Sequence, residues 1–381
     1  MSEPPSRFTI PLFDLNYDEA EEEAVVQTLR SRWISMGPKT TELEAEFRRM
    51  IGVSHALAVS SCTSALHLAM RVLDVGPGDE VIVPSLTFVA TANAIRYVGA
   101  VPVFADITSP NDLNLNPLDV AARMSSRTKA ILVMHYGGFP CDMDAIGNIA
   151  AGRNVAVVED ACHGPLSRLG EKCLGAIGDI GCFSFFSNKN ISTGEGGMFV
   201  TRHAEHYERA KLLRSHGMTS PSYERAKGHA TSYDVVDLGY NYRLDDIHSS
   251  LALVQLGKLQ KDLERRSQVR ATYLSLLEGN QKLIIPFQGH KGFASNYVFP
   301  VVLKDAGAGR RENVRQKMES AGIQTSVHYP AVHRFSIYQS KKWNLPVTEY
   351  VADNVITLPM YGGLTREQIA RVVDELTKAV A

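Results

Sequence analysis

Seven short apolar runs recur within the first 201 residues, and segments with helical spacing separate several of them. Each run is nearly continuous in Val, Ile, Ala and Phe, as is typical of strands that are covered on both faces. The runs are HALAVS (55–60), EVIVPS (80–85), VPVFAD (101–106), KAILVMH (129–135), NVAVVED (154–160), GCFSFF (181–186) and GMFVT (197–201). Between the first two, Leu66, Ala69, Met70 and Leu73 fall on one helical stripe. This alternation predicts an α/β fold with a mostly parallel seven-stranded sheet.

The pattern changes near residue 245, where a long helical segment begins with DDIHSSLALVQL. A strand-like segment, NYVFPVVL, follows it, and further helices are predicted from about Glu312 to Ala321 and from Thr365 onward. We therefore predict a large domain over residues 1–250, including the N-terminal segment, and a smaller C-terminal α+β domain over residues 251–381.

Composition narrows the classes of function. The 381 residues are 44% hydrophobic with a formal net charge of -1, which argues against a dedicated nucleic-acid binder. No apolar run approaches the roughly 18 residues of a membrane span, and the N-terminus lacks the pattern of a signal peptide. The five cysteines include no CxxC pair, so neither a disulfide framework nor a metal site is predicted. These features favour a cytoplasmic protein with reduced thiols and no membrane partner.

Several side chains with chemical potential follow the predicted strands. Ligands of parallel sheets collect at the carboxyl ends of the strands, and Thr63, Ser64, Phe88, Asp160 and Lys189 all lie just after such ends. Each also has an ordinary alternative. Ser, Thr and Asp cap helices, an aromatic residue packs in a core, and a lysine is usually solvated.

Lys189 lies in FSFFSNKNISTGEGGMFV, where it precedes the glycines, so the stretch is not a triphosphate-binding loop. We expect desolvation or cationic neighbours to lower the pKa of Lys189 and make it a Schiff-base amine. A lysine, a carboxylate, an anion-binding helix start and a flat aromatic face are together what pyridoxal phosphate requires.

The chain resembles the DegT/DnrJ/EryC1/StrS family of sugar aminotransferases, which have the fold type I architecture of aspartate aminotransferase. The resemblance runs from Pro11 to the C-terminus. It rests on the segments MGPKTTELEAEF, SCTSALHLAM, PSLTFVATANAI, VPVFADI, MHYGGFPCDMDAI, VEDACHG, GDIGCFSFFSNKNISTGEGGM, GYNYRLDDIHSSLALVQL and TSVHYPAVH.

The resemblance implies that the large domain binds pyridoxal 5'-phosphate. Lys189 would form the internal aldimine and later carry the proton, as the catalytic residue. Asp160 would pair with the pyridine nitrogen, and His163 would lie near the ring hydroxyl.

The remaining cofactor contacts are implied in the same way. Phe88 would stack on the ring, and Thr63, Ser64 and Ser184 would hold the phosphate. Asn241 of GYNYR would reach the phosphate of the neighbouring subunit, which makes a homodimer with shared active sites the expected assembly.

Some positions depart from the family pattern or stay open. Cys62 replaces the usual glycine of a Ser-Gly-Thr turn, and Cys162 and Gly164-Pro165 are variants around His163. Four further residues are left open between a role in the site and a structural role: His216, Glu195, His328 and His333.

The resemblance implies an aminotransferase that moves an amino group, with glutamate as donor, to the keto group of a nucleotide-linked sugar. A 4-keto-6-deoxy sugar is favoured because that substrate is widespread in the family. Alternatives are a sugar dehydratase, which would carry His in place of Lys189, and a non-catalytic regulator that binds the cofactor. A nicotinamide dehydrogenase is disfavoured, since no GxGxxG follows the first strand.

Overall fold

The computed structural model describes residues 8–219, 232–304, 307–339 and 342–381. The helices of these ranges are α1 (Glu19–Arg30), α2 (Pro38–Ile51), α3 (Cys62–Val72), α4 (Val89–Tyr97), α5 (Pro117–Arg123), α6 (Met143–Ala151), α7 (Ala204–Arg214), α8 (Asp246–Leu276), α9 (Gly307–Ser320), α10 (Pro346–Asn354) and α11 (Arg366–Val380). The strands are β1 (His55–Val59), β2 (Glu80–Pro84), β3 (Val101–Ala105), β4 (Ile107–Ser109), β5 (Asp112–Leu115), β6 (Thr128–Met134), β7 (Ala156–Asp160), β8 (Arg168–Leu169), β9 (Lys172–Cys173), β10 (Ile180–Ser184), β11 (Gly197–Thr201), β12 (Leu283–Ile284), β13 (Phe299–Leu303) and β14 (Val355–Leu358).

The central sheet has seven strands in the order β1-β11-β10-β7-β6-β2-β3. They correspond to the seven apolar runs of the sequence, and every pairing is parallel except the two that β11 makes with β1 and β10. The predicted mostly parallel seven-stranded sheet is therefore confirmed. Buried Val, Ile and Leu on both faces explain why the runs are almost continuously apolar.

Helix α3 packs on this sheet through the predicted stripe. Leu66, Ala69 and Met70 are at most 1% exposed and belong to the core that includes Leu57 of β1, whereas Leu73 is only partly buried. The packing fixes the N-terminus of α3 at the carboxyl end of β1, where the predicted anion-binding turn lies.

A second sheet, β12-β13-β14, is antiparallel and packs against α9 and α11. Helix α9 begins earlier than the predicted Glu312. Helix α11 begins at Arg366, one residue after the predicted start, and Thr365 is its N-cap. The predicted boundary at residues 250 and 251 lies inside α8, and the division into two domains stays a prediction. Within the described ranges, no helix has the length and apolar character needed to cross a membrane.

Candidate active site

A cavity of ≈ 340 Å³ lies where β1, β2, β7 and β10 end. Five of the predicted site residues line it: Thr63, Phe88, Asp160, Ser184 and Lys189. Elements far apart in sequence meet there because the carboxyl ends of parallel strands share one edge of the sheet.

Asp160 ends β7 and is 3% exposed. Its Oδ2 accepts a hydrogen bond from the Thr91 hydroxyl (2.9 Å), and its Oδ1 accepts one from the Cys162 N–H (3.2 Å). The residues that follow form turns, so Asp160 caps no helix in the described chain. The carboxylate is thus held on two sides while it lines the cavity, as a partner for a cationic ring nitrogen must be.

The neighbouring Glu159 serves the fold and lies outside the cavity. This fully buried carboxylate accepts hydrogen bonds from three backbone N–H groups of residues 175–178, at 2.6–2.8 Å, and contacts His135 Nε2 at 2.8 Å. It ties the loop before β10 to β7 and so supports the strand end that presents Asp160.

The Lys189 amine lies deep in the cavity, with Nζ 4.0 Å from Cys162 Sγ and 4.1 Å from the ring centroid of Tyr297. Burial alone would lower its pKa, but Cys162, Tyr297 and Asp160 together raise the pKa of Lys189 above its ordinary value. The predicted lowering of this pKa is therefore wrong. The nearby groups are anionic or hydrogen-bonding rather than cationic, and they stabilise the ammonium form.

Glycines shape the return of the chain after Lys189. Gly194 and Gly196 have φ of +84° and +150°, which L side chains rarely adopt. A Cβ on Gly197 would lie 2.6 Å from the Cys62 N atom, so only glycine lets β11 pass this close to the start of α3.

His163 is 1% exposed, and burial, followed by the charges of Lys189 and His328, lowers its pKa well below the usual value. The Gly137 N–H donates to His163 Nδ1 at 3.2 Å, so the neutral ring carries its proton on Nε2. Nε2 then donates to the Tyr329 hydroxyl at 2.9 Å. Tyr329 lines the cavity, whereas His163 lies behind it. A direct role of His163 at the cofactor hydroxyl stays a prediction.

The anion-binding end is built around Ser61, the N-cap of α3. Ser61 Oγ accepts from the Ser64 N–H at 3.1 Å, and the Ser64 hydroxyl is buried against those of Ser60 and Ser61. Ser61 and Thr63 line the cavity, and Ser64 does not. The Cys62 and Thr63 N–H groups have no acceptor within the described part of the chain, which suits an anion at the helix N-terminus.

Asn241 lies outside the cavity, exposed and bridged to Ser215. Its predicted contact with a neighbouring subunit stays a prediction. His216, left open in the sequence, is also exposed, in a left-handed conformation at φ +63°.

The other open residues fall into two groups. His328 and Glu195 line the cavity, and burial, followed by the charge of Lys189, lowers the pKa of His328 to about 4. His333 does not line the cavity. Its ring nitrogens form hydrogen bonds with the side chains of Ser85 and Glu349.

The residues that line the cavity and were missed by the sequence analysis include Thr91, Tyr297 and Tyr329, which contact Asp160, Lys189 and His163 respectively. Thr91 lies one helical turn after Phe88, and that spacing could have indicated a shared face. Tyr297 precedes β13, and Tyr329 follows Ser326, which forms a bridge to Thr357 of β14, so no local pattern points either tyrosine toward Lys189.

The sequence model of the DegT/DnrJ/EryC1/StrS aminotransferase family matches residues 16–377. The chain belongs to this family. The spore coat polysaccharide biosynthesis protein SpsC of Bacillus subtilis (strain 168) is 36% identical over 98% of this chain and 96% of its own.

Solved structures agree with the assignment. Spr1654 of Streptococcus pneumoniae, named as a candidate sugar aminotransferase, superposes in its PMP form with a TM-score of 0.92 and 29% identity, covering 98% of this chain and 99% of that one. PseC of Helicobacter pylori, an aminotransferase involved in the biosynthesis of pseudoaminic acid, gives a TM-score of 0.91 and 27% identity, covering 97% and 98%. Family and fold confirm the predicted fold type I architecture, and pyridoxal phosphate as the cofactor of the family is confirmed with them.

The residues of the cavity fit that cofactor. Lys189 provides an amine, Asp160 provides a hydrogen-bonded carboxylate, and the start of α3 provides free N–H groups. Phe88, although large and apolar, is 56% exposed at the rim, as expected for a residue whose ring is kept available for stacking.

Proposed function

We propose that this chain is an aminotransferase that moves an amino group from an amino acid, L-glutamate, to the keto group of a nucleotide-linked 4-keto-6-deoxy sugar. The observation that carries the proposal is the placement of Lys189 and Asp160 in one cavity beside an open helix N-terminus. When bound, pyridoxal phosphate supplies an electron-accepting ring and an aldehyde carbon.

Each residue has a defined task in this proposal. Lys189 would hold the aldehyde carbon of the cofactor through its amine, and the free amine would move the proton at the reacting carbon of the substrate. Asp160, whose orientation is fixed by Thr91, would accept the ring N–H and stabilise positive charge there. The phosphate would be held by Thr63, Ser184 and the first N–H groups of α3, and Phe88 would stack on the ring.

The relatives support a sugar as the acceptor. SpsC is a protein of polysaccharide biosynthesis, and PseC acts in the biosynthesis of pseudoaminic acid. Lysine at position 189 also favours amination over the dehydratase alternative, which would have His there.

A homodimer with shared sites is part of the proposal. Val235, Val236 and Leu238 are more than half exposed on a segment that contacts α3 through Asp237 and Arg71. Such a row of exposed apolar side chains is typical of an interface. Asn241 is exposed on the same segment, in a position to meet a second copy.

Half-reactions test the substrate assignment. The enzyme loaded with pyridoxamine phosphate is mixed with 4-keto and 3-keto nucleotide sugars and with the same sugars lacking the nucleotide. We expect the visible absorbance of lysine-bound cofactor to return fastest with the 4-keto-6-deoxy nucleotide sugar. No return with any keto sugar, together with rapid return with simple 2-keto acids alone, would contradict a sugar acceptor.

The assembly is tested by light scattering with matched variants. Leu238→Asp places a charge on the exposed segment, and Leu118→Asp places one at an equally exposed position on α5, which packs on α6 and β3. We expect only Leu238→Asp to give monomers and to weaken cofactor binding. A monomeric wild-type protein that is fully active would refute the shared site.

A further inference from the structure

Two cysteines line the cavity and have no task in the proposed function. Cys62 is the first residue of α3, and Cys162 lies two residues after Asp160. Both are half-buried, whereas the other three cysteines are buried: Cys141, Cys173 and Cys182. The fold therefore gives two of its five thiols access to the cavity.

Both cysteines contact the same carboxylate oxygen, Cys62 through its thiol and Cys162 through its backbone N–H. Cys62 Sγ lies 3.9 Å from Asp160 Oδ1, and the Cys162 N–H donates to the same atom at 3.2 Å. The Cys62 thiol and the Cys162 side chain are close enough to interact, and this interaction is the largest cause that raises the pKa of Cys62.

The surroundings of the two sulfurs differ. The hydrogen bond to Cys162, burial and the Asp160 charge, in that order, raise the pKa of the Cys62 thiol well above its usual value. Cys62 therefore keeps its proton. Cys162 Sγ instead lies 4.0 Å from the Lys189 ammonium, which is placed to stabilise negative charge on that sulfur as it attacks. The Cys162 sulfur is therefore suited to attack an oxidant first, and the Cys62 thiol is suited to react with the oxidised Cys162.

We propose that Cys62 and Cys162 form an oxidisable pair that hydrogen peroxide converts to a disulfide, and that pyridoxal phosphate bound in the cavity blocks this reaction. The Cys162 sulfur attacks one peroxide oxygen, the O–O bond breaks, and the released hydroxide takes a proton to leave as water. The Cys62 sulfur then attacks the resulting sulfenic acid, the S–O bond breaks, and a second water leaves. Peroxide is reduced to two waters, and two thiols are oxidised to one disulfide.

A disulfide between Cys62 and Cys162 would change the site that is proposed to bind the cofactor. It would link the start of α3 to Cys162, two residues after Asp160, and would convert the thiol near the Lys189 amine into a neutral disulfide sulfur. We therefore expect the oxidised protein to lose affinity for pyridoxal phosphate and to recover it with dithiothreitol. This consequence, and the protection by cofactor, rest on the proposed function.

The test uses the full-length protein stripped of cofactor, and the same protein reloaded with pyridoxal phosphate, each treated with hydrogen peroxide. Non-reducing peptide mapping should find one Cys62–Cys162 disulfide, and the free-thiol count should fall from five to three. With pyridoxal phosphate at about ten times its Kd, the disulfide should form roughly tenfold more slowly, since only the cofactor-free fraction reacts.

Variants complete the design. Cys62→Ser and Cys162→Ser should each abolish the disulfide, and Cys173→Ser, which changes a buried thiol that does not line the cavity, should leave it intact. Sulfinic acid without a disulfide, or a disulfide with a different cysteine, would contradict the proposal that Cys62 and Cys162 form an oxidisable pair. Equal rates of disulfide formation with and without bound cofactor would contradict the proposal that the cofactor protects the two thiols. Failure to bind pyridoxal phosphate would appear separately, as missing visible absorbance, and would count against the proposed function rather than the thiol pair.

Discussion

Replacing Thr91 by Val tests the support of Asp160. The Thr91 hydroxyl donates to Asp160 Oδ2 at 2.9 Å, and a hydroxyl has one proton to give. Thr87, whose Oγ1 is 2.8 Å from that of Thr91, must therefore donate its own proton to Thr91. Valine keeps the shape of threonine at this fully buried position, and it removes both the donor to the carboxylate and the acceptor of the Thr87 proton.

The expected loss follows from the charge of the acceptor. A hydrogen bond to a charged group contributes about 1.5–3 kcal/mol. Asp160 lines the cavity, where water can reach its carboxylate in the cofactor-free protein, so we expect the loss to fall on the bound form, in which Asp160 would face the ring nitrogen. At about 1.4 kcal/mol per tenfold change, the Kd for pyridoxal phosphate should rise roughly 10- to 100-fold.

Titration of cofactor-free protein with pyridoxal phosphate, followed by visible absorbance, measures this Kd. Thr87→Val is the matched control, because it removes a neighbouring hydroxyl and leaves the bond between Thr91 and Asp160 in place. We expect the control to bind within a few-fold of wild type. Equal affinities for Thr91→Val and wild type, or equal losses in both variants, would show that the Thr91 hydroxyl does not support Asp160.

Three further predictions concern buried groups near the cavity. Tyr329→Phe leaves the His163 N–H without its acceptor, so urea denaturation should show a free energy of unfolding lower by about 1–3 kcal/mol. Glu159→Ala orphans the N–H groups of residues 175–178, and calorimetry with a matched denaturant series should show a loss of about 3 kcal/mol or more. Because the pKa of His328 is lowered to about 4, its contribution to stability is complete above pH 6.5 and is lost toward pH 4, at up to about 1.4 kcal/mol per pH unit. His328→Gln should flatten the free energy of unfolding over that window; an unchanged slope would contradict the assignment.

Positions set by the sheet were predictable from the sequence. Apolar runs located the strands, and the rule that ligands lie at their carboxyl ends placed Asp160 and Phe88 at the cavity. Residues brought in by the smaller sheet, such as Tyr297 and Tyr329, were not predictable, because their approach to Lys189 depends on tertiary packing rather than on local periodicity.

Electrostatic expectations were less reliable than positional ones. The pKa of Lys189 is raised rather than lowered, since the nearby Cys162 and Asp160 outweigh burial. A sequence motif identifies the lysine but does not show which charges surround it. The Ser64 hydroxyl illustrates the same limit, because the motif does not reveal that its partners are other serines at the helix start.

Lys189 is the residue proposed to bond to the cofactor. Borohydride reduction of the loaded protein, followed by peptide mapping, identifies the lysine that carries it. We expect one phosphopyridoxyl group per chain, on Lys189, and no visible absorbance or label in Lys189→Ala. A label on another lysine, or a wild-type protein that takes up no label in excess pyridoxal phosphate, would contradict this proposal.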